Sequence, residues 1–87
     1  MIICKVIGHV WATKKEPNLE GLKLMVVREE HGNKTHVAAD VVGAGIGEKV
    51  LVVSGSTARS VFGGDGQRSV PADMAIVGII DNLDIKE

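Results

Sequence analysis

A glycine-rich turn that runs into a short apolar segment decides how this chain folds, and it reads Gly43-Ala44-Gly45-Ile46-Gly47-Glu48-Lys49-Val50-Leu51-Val52-Val53-Ser54-Gly55-Ser56-Thr57-Ala58-Arg59. The alternate glycines suit a backbone that needs a positive φ or a close approach. Residues 49–53 are too few for a stable helix and are rich in β-branched side chains, so they predict a strand. Val50 and Val52 point to one face of that strand, whereas Leu51 and Val53 point to the other. Both faces are apolar and need cover, and in so small a chain a second subunit is one source of it.

The composition predicts one small domain with more aliphatic surface than a monomer easily hides. The chain has 87 residues, of which 45% are hydrophobic, yet it holds one Trp, one Phe and no Tyr. A domain of this size buries only roughly 60% of the surface that its unfolded chain exposes. Large exposed apolar patches usually mark interfaces, so we expect association. The net charge of −1 gives no sign of a nucleic-acid or anionic membrane surface.

Five short apolar runs predict the fold. We expect strands over residues 2–13, 22–30, 35–42, 49–53 and 74–81. Gly8, inside the first of them, predicts a bulge or a tight bend. Ser56 is suited to cap one short helix over residues 57–61, and residues 63–69 predict a glycine-rich loop. The fold class is therefore all-β with one short helix: a single domain, residues 1–87, folded as a small five-stranded OB-like β-barrel.

Residues that could carry chemistry form no recognisable set. The Gly43-x-Gly45-x-Gly47 spacing superficially matches a phosphate loop, but such loops open a helix, and these glycines open a strand. His9, His31 and His36 lack metal-ligand spacing. Gly55-Ser56-Thr57-Ala58-Arg59 lacks the second glycine of a nucleophile elbow. We expect no enzyme activity, no catalytic residue, no cofactor and no metal.

The sequence shows no segment for export or membrane insertion. Met1-Ile2-Ile3-Cys4-Lys5 does not have the basic and long apolar regions of a signal peptide, and no apolar run approaches the roughly 20 residues of a membrane span. Cys4 has no cysteine partner in the chain and is expected to be a small core residue. The expectation is a soluble, intracellular protein.

An OB-like barrel leaves one function of another class open, namely a small binding module for single-stranded nucleic acid or a small ligand. Such modules combine a basic groove with exposed stacking aromatics. The only aromatic candidates are Trp11 and Phe62. Trp11 could stack a base from the outer face of the first strand, or it could equally fill a subunit interface.

The stretch from Asp40 to Arg59 resembles the signature of the EutN/CcmL family, the vertex proteins of bacterial microcompartment shells. Three further pieces agree, in the right order and over nearly the whole chain: Gly8-His9-Val10-Trp11-Ala12-Thr13, Leu19-Glu20-Gly21-Leu22-Lys23-Leu24-Met25-Val26-Val27 and Pro71-Ala72-Asp73-Met74-Ala75-Ile76-Val77-Gly78-Ile79-Ile80-Asp81. The departures are Thr57, where a second serine is common, a short hairpin turn over residues 31–34 and a loop over residues 63–69 that is unusually rich in glycine. These differences bear on partner choice more than on fold.

The resemblance implies a structural role. Family members form a small barrel, and five copies assemble into a tapered homopentamer that closes a vertex of a polyhedral shell. The flat facets of that shell are tiled by hexameric microcompartment shell proteins of a different fold. The implied location is the microcompartment shell in the bacterial cytoplasm, with neither nucleic acid nor membrane as a partner.

Two groups of residues are candidates for contacts between subunits. Ser54, Gly55, Ser56, Thr57 and Arg59 are expected at the subunit interface or near the axis, because small residues permit close approach and an arginine can bind a neighbour's carboxylate or carbonyl groups. The alternative is that this segment merely caps the barrel and that Arg59 is solvated. The second group serves as core and interface strands: Val50, Leu51, Val52, Val53, Ile76, Val77, Ile79 and Ile80.

Overall fold

The computed structural model describes residues 1–11, 21–56, 58, 61, 72–83 and 85. Its five strands close into a barrel, which confirms the predicted fold class. The strands are β1 (Ile2–His9), β2 (Lys23–Glu29), β3 (Thr35–Asp40), β4 (Lys49–Ser54) and β5 (Met74–Ile79). Around the barrel they follow the order β1-β2-β3-β5-β4, and β4 pairs with β1 to close it.

One pair of neighbouring strands, β3 and β5, is parallel, and the other four pairs are antiparallel. The strand positions agree with the prediction, but their ends differ. β2, β3 and β5 are shorter than the apolar runs that predicted them, β1 ends at His9, and β4 extends one residue further, to Ser54. The predicted loop over residues 63–69, like Phe62, lies outside the described residues.

The barrel interior is aliphatic and contains inward-facing side chains from all five strands. Alternation along β1 places Cys4 and Val6 inside, which confirms the core position predicted for Cys4. The buried cluster is made of Cys4, Val6, Met25, Val27, Ala38, Ala44, Val50, Val52 and Ile76. Burying one such valine contributes roughly 1.5–3 kcal/mol, so this cluster supplies the main favourable term in folding.

A second, smaller apolar cluster lies on the outer face of β4 and β5. It contains the buried side chains of Val53, Ala58 and Ala75, with Val77 packed against them. The chain turns after β4, and Ser56 and Ala58 are helical, so part of the outer face is covered by the chain itself. The inner face of residues 49–53 is fully buried at Val50 and Val52, whereas the outer face is buried at Val53 and only half-buried at Leu51. At Val53 the cover comes from within the chain rather than from another subunit.

Two irregularities bend the sheet. The register between β1 and β2 shifts between Val6 and Gly8, which confirms the bulge predicted at this glycine. A second shift occurs where β4 and β5 pair: Leu51 lies opposite Gly78 and Val52 opposite Ile76, so Val77 is an extra residue. Bulges increase the local twist of a sheet. A five-stranded sheet needs such bending and twisting to close into a barrel.

Asp40 organises the glycine turn from a buried position. Its Oδ1 accepts a hydrogen bond from the backbone N–H of Val42 at 3.0 Å, and its Oδ2 accepts one from Ala44 at 2.8 Å. The Lys23 ammonium lies 3.5 Å from Oδ2 and donates to the carbonyl of Ala44 at 2.7 Å. The Asp40 side chain is only 1% exposed. Its hydrogen bonds are charge-assisted, and they offset much of the free-energy cost of removing the carboxylate from water.

The rest of the glycine turn is hydrogen-bonded to β1. The Gly47 N–H donates to the Val6 carbonyl at 2.8 Å, and the Val6 N–H donates to the Glu48 carbonyl at 2.9 Å. The Glu48 carboxylate accepts from the Gly45 N–H at 2.6 Å. Gly43 and Gly47 have φ of +80° and +94°, a region that favours glycine, so the predicted need for glycine is confirmed at these two positions. The turn leads directly into β4, as expected.

Replacing Asp40 with alanine should destabilise the barrel. The change leaves the N–H groups of Val42 and Ala44 without their acceptor, and Ala44 is fully buried. We expect a loss of about 1–3 kcal/mol in the free energy of unfolding, measured by urea denaturation at one fixed chain concentration. Asp81→Ala, at an exposed carboxylate after β5, is the matched control and should change stability by about 0.5 kcal/mol or less. Equal effects of the two changes would contradict a special role for Asp40.

Candidate subunit interface

Large apolar side chains are exposed at many points on the outside of this small barrel. Trp11 is 88% exposed, and Ile85 and Ile46 are 73% and 60% exposed. Single exposed apolar residues are ordinary, but so many on one small domain agree with the expectation that the chain associates. The exposed large hydrophobic residues in the described ranges are Met1, Trp11, Val37, Val41, Val42, Ile46, Val61, Leu83 and Ile85.

The structure divides the residues that were predicted to serve as core and interface strands into two sets. Val50, Val52 and Ile76 lie in the barrel interior, and Val53 is buried under the chain's own helical turn. These four are core residues and are out of reach of a neighbour. The members that retain exposed surface are Leu51, Val77, Ile79 and Ile80. Of these, Leu51 faces outward, because it alternates along β4 with the interior residues Val50 and Val52.

The segment after β4 is partly described. Ser54, Gly55 and Ser56 are exposed, and Gly55 has a φ of +69°. The Gly55 N–H donates to the carbonyl of Asp73 at 2.8 Å, which ties this turn to the start of β5. The helical turn begins at Ser56, one residue earlier than predicted, so Gly55 rather than Ser56 holds the position before it. Thr57 and Arg59 lie outside the described residues.

A feature that the sequence did not predict is an apolar hollow on the barrel surface. It has a volume of about 430 Å³ and is lined by Met1, Ile2, Ile3, Glu29, His31 and Leu51. Ile3 and Leu51 lie opposite each other on β1 and β4. These two strands are far apart in the sequence, so only the closure of the barrel brings the residues together. We call this feature the Leu51 hollow.

A side-chain hydrogen bond holds the polar rim of the Leu51 hollow. Glu29 Oε2 and His36 Nε2 are 2.6 Å apart, across the hairpin formed by β2 and β3. His31 lies at the turn of that hairpin and also lines the hollow. The pair fixes the Glu29 carboxylate beside an otherwise aliphatic surface.

Trp11 stands beyond the opposite end of β1. Its indole ring stacks on the His9 ring, with centroids 5.7 Å apart and an angle of 29° between the planes. His9 is also exposed. The sequence predicted that Trp11 lies on the outer face of the first strand; the structure exposes it, but beyond the end of β1 rather than on the strand. The stacking holds the largest exposed side chain of the barrel in a defined orientation.

The described residues contain no group of three His, Cys, Asp or Glu side chains placed to hold a metal ion. Cys4 lies in the barrel core, as predicted. Its burial, aided by the nearby charges of Glu29 and Glu30, raises the pKa of the thiol. A higher pKa lowers the thiolate fraction at neutral pH, and the thiolate is the reactive form.

The structure is a closed five-stranded barrel whose surface carries exposed aliphatic side chains and an apolar hollow, features that agree with a protein that associates. The family model described as "Ethanolamine utilisation protein EutN/carboxysome" matches residues 1–81. The chain belongs to this EutN/CcmL family, as its sequence resemblance implied.

Similar proteins carry names that agree with an assembly role. The carboxysome shell vertex protein CcmL of Synechocystis sp. PCC 6803 is 46% identical, over 98% of this chain and 87% of CcmL. The microcompartment shell vertex protein PduN of Salmonella typhimurium LT2 is 41% identical, over 95% of this chain and 98% of PduN. The solved structure of GrpN, a pentameric microcompartment shell protein from Rhodospirillum rubrum, covers 100% of both chains with a TM-score of 0.85 and 38% identity.

Within the described ranges, the chain has no helix that is long and apolar enough to span a bilayer.

Cys4 should resist modification in the native protein. We expect a thiol reagent such as Ellman's reagent to react with native Cys4 far more slowly than with the chain unfolded in urea, because the thiol is buried and its raised pKa leaves little thiolate at pH 7. A Val37→Cys variant, with its new thiol on an exposed part of β3, serves as the positive control and should react at once with one thiol equivalent. Equal rates for native and unfolded Cys4 would contradict its placement in the core.

Proposed function

We propose that five copies of this chain form a ring that closes a vertex of a microcompartment shell in the bacterial cytoplasm. The observation that carries this proposal is the match of the whole chain to the pentameric shell protein GrpN at a TM-score of 0.85. It is supported by two relatives named as shell vertex proteins and by the exposed aliphatic side chains of the barrel. Association would remove that apolar surface from water.

The mechanism is geometric. A contact between two different patches on identical subunits generates a closed ring when the rotation between neighbours divides a full turn. Five tapered subunits would then introduce the angular deficit that a flat sheet of hexamers needs in order to curve shut. In this role no side chain has to perform chemistry, so the proposed function is structural and not enzymatic.

The second partner in this proposal is the set of hexameric proteins that tile the shell facets. They follow from the vertex role, because a vertex ring must join the edges of the surrounding facets. The alternative function, a barrel that binds single-stranded nucleic acid or a small ligand, is not favoured by the names of the relatives. It also lacks an electrostatic basis, because the net charge is −1.

Contacts within the ring are proposed at two places on the surface. Ser54, Gly55 and Ser56 are exposed and small, so a neighbouring backbone can approach them closely. Leu51, Val77 and Ile80 retain exposed apolar surface on β4, on β5 and just after β5, whereas the half-buried Ile79 packs against the barrel interior. Thr57 and Arg59, which lie outside the described ranges, are assigned to the same contact because they belong to the same small-residue segment and an arginine can bind a neighbour's carboxylate or carbonyl groups.

Native mass spectrometry of the purified chain tests the ring. We expect a single species of five times the 9.2 kDa chain mass that persists when the sample is diluted from micromolar to nanomolar concentration. A monomer at every concentration would reject the proposal. A fluorescent single-stranded oligonucleotide at low salt should show no binding in the same samples, since electrostatic binding is strongest there.

Arg59→Ala tests the segment after β4. If the guanidinium binds a neighbour, we expect the ring to dissociate at a higher chain concentration than the unaltered protein, because a charge-assisted hydrogen bond to a charged group contributes about 1.5–3 kcal/mol. Arg28→Ala, at an exposed arginine on β2, is the matched control and should leave the ring unchanged. A ring of Arg59→Ala that is as stable to dilution as the unaltered ring would show that this arginine is solvated.

A further inference from the structure

We infer that Trp11 of each copy inserts into the Leu51 hollow of the next copy around the ring. This inference rests on the proposed ring and names the side chains that join its subunits. It joins two surface features that the described part of the chain leaves uncovered: an apolar hollow and an exposed aromatic side chain.

The hollow has the properties of a receptor for an aromatic ring. Ile3 and Leu51 are cross-strand neighbours and form part of an aliphatic wall, to which Met1 and Ile2 contribute. The volume of about 430 Å³ lies within the range of pockets that hold small ligands, so it can accommodate an indole. Removing both apolar surfaces from water provides a driving force for the contact.

Trp11 has the properties of the inserting side chain. It is the only tryptophan of the chain and is 88% exposed. Tryptophan is enriched among the residues that dominate the binding energy of protein interfaces, where it fills pockets near the centre of the contact. Stacking on His9 restricts the indole before association, so less side-chain entropy is lost when it enters a pocket.

The polar groups of the two features are also complementary. The indole nitrogen can only donate a hydrogen bond, and it needs an acceptor when it is buried. Glu29 lines the hollow and supplies carboxylate oxygens, and its pairing with His36 holds that carboxylate in place. Ile46, which is also exposed, offers no donor to this carboxylate and is therefore the weaker candidate.

The positions of the two features suit a ring and exclude contact within one copy. The hollow is lined by residues at the start of β1, and Trp11 follows the end of the same strand. Within β1 alone, the six residue steps from Ile3 to His9 span roughly 20 Å at about 3.3 Å each, and Trp11 lies two residues beyond His9. The indole cannot reach the hollow of its own chain. Two different patches that are well separated on one subunit are what a head-to-tail ring requires.

Fluorescence of the single tryptophan tests this contact in the unaltered protein. In the pentamer we expect Trp11 emission to be shifted to shorter wavelength than in the urea-unfolded chain, with an acrylamide quenching constant several-fold smaller. Leu51→Lys places a charge in the hollow and should return both values to those of an exposed indole. Val37→Lys, the same kind of change at an exposed position on β3 outside the hollow, is the matched control and should leave the emission unchanged.

A second variant removes the inserting side chain without touching the barrel. Trp11→Ala lies outside the strands and should keep the fold, as judged by circular dichroism. By native mass spectrometry we expect each contact in its ring to be weakened by about 30-fold, the effect of truncating a typical interface hot spot.

The outcomes separate this inference from the proposed ring. A pentamer in which Trp11 is quenched as readily as in the unfolded chain would overturn the contact and leave the ring standing. If Trp11 is protected from quenching in the pentamer and stays protected in the Leu51→Lys variant, then the indole is buried somewhere other than the Leu51 hollow. A chain that never forms a pentamer would reject both proposals.

Discussion

The buried carboxylate of Asp40 is the interaction on which the rest of the barrel depends. It accepts hydrogen bonds from the N–H groups of Val42 and Ala44, and Lys23 lies close by to balance its charge. These bonds shape the chain as it leaves β3 and send Ala44 into the core. The following residues then bond to Val6 of β1, so the turn delivers β4 beside β1 and the barrel closes. A buried charge is tolerated here because nearby groups compensate it.

Closure of the barrel creates two kinds of apolar surface. The interior is filled by one buried cluster with contributions from every strand, and a second cluster on the outer face of β4 and β5 is covered by the helical turn after β4. The turn covers Val53 but leaves Leu51 partly exposed beside Ile3. The chain therefore covers one half of its outer apolar face and leaves the other half available. This division gives a physical reason for a member of the EutN/CcmL family to assemble.

The proposed ring uses the strand that closes the barrel as part of its contact surface. Leu51 belongs to β4, which is buried on its inner face and partly open on its outer face. A contact at this strand has a rigid base, because β4 is hydrogen-bonded on both sides, to β1 and to β5. Rigid contact surfaces lose little entropy on association, and a repeated angle between subunits requires them.

The sequence by itself determined the fold class, the five strand positions, the bulge at Gly8 and the inward position of Cys4, because these follow from local alternation, β-branched residues and glycine placement. Its likeness to a family also indicated the assembly role. It did not show that Val53 would be covered by the chain's own turn, nor that Asp40 would hold the glycine turn from a buried site. The sequence also did not predict the Leu51 hollow, because nothing local indicates that the residues lining it come together. Only the tertiary structure decided these points, since they depend on which distant strands become neighbours when the barrel closes, and no local pattern records that pairing.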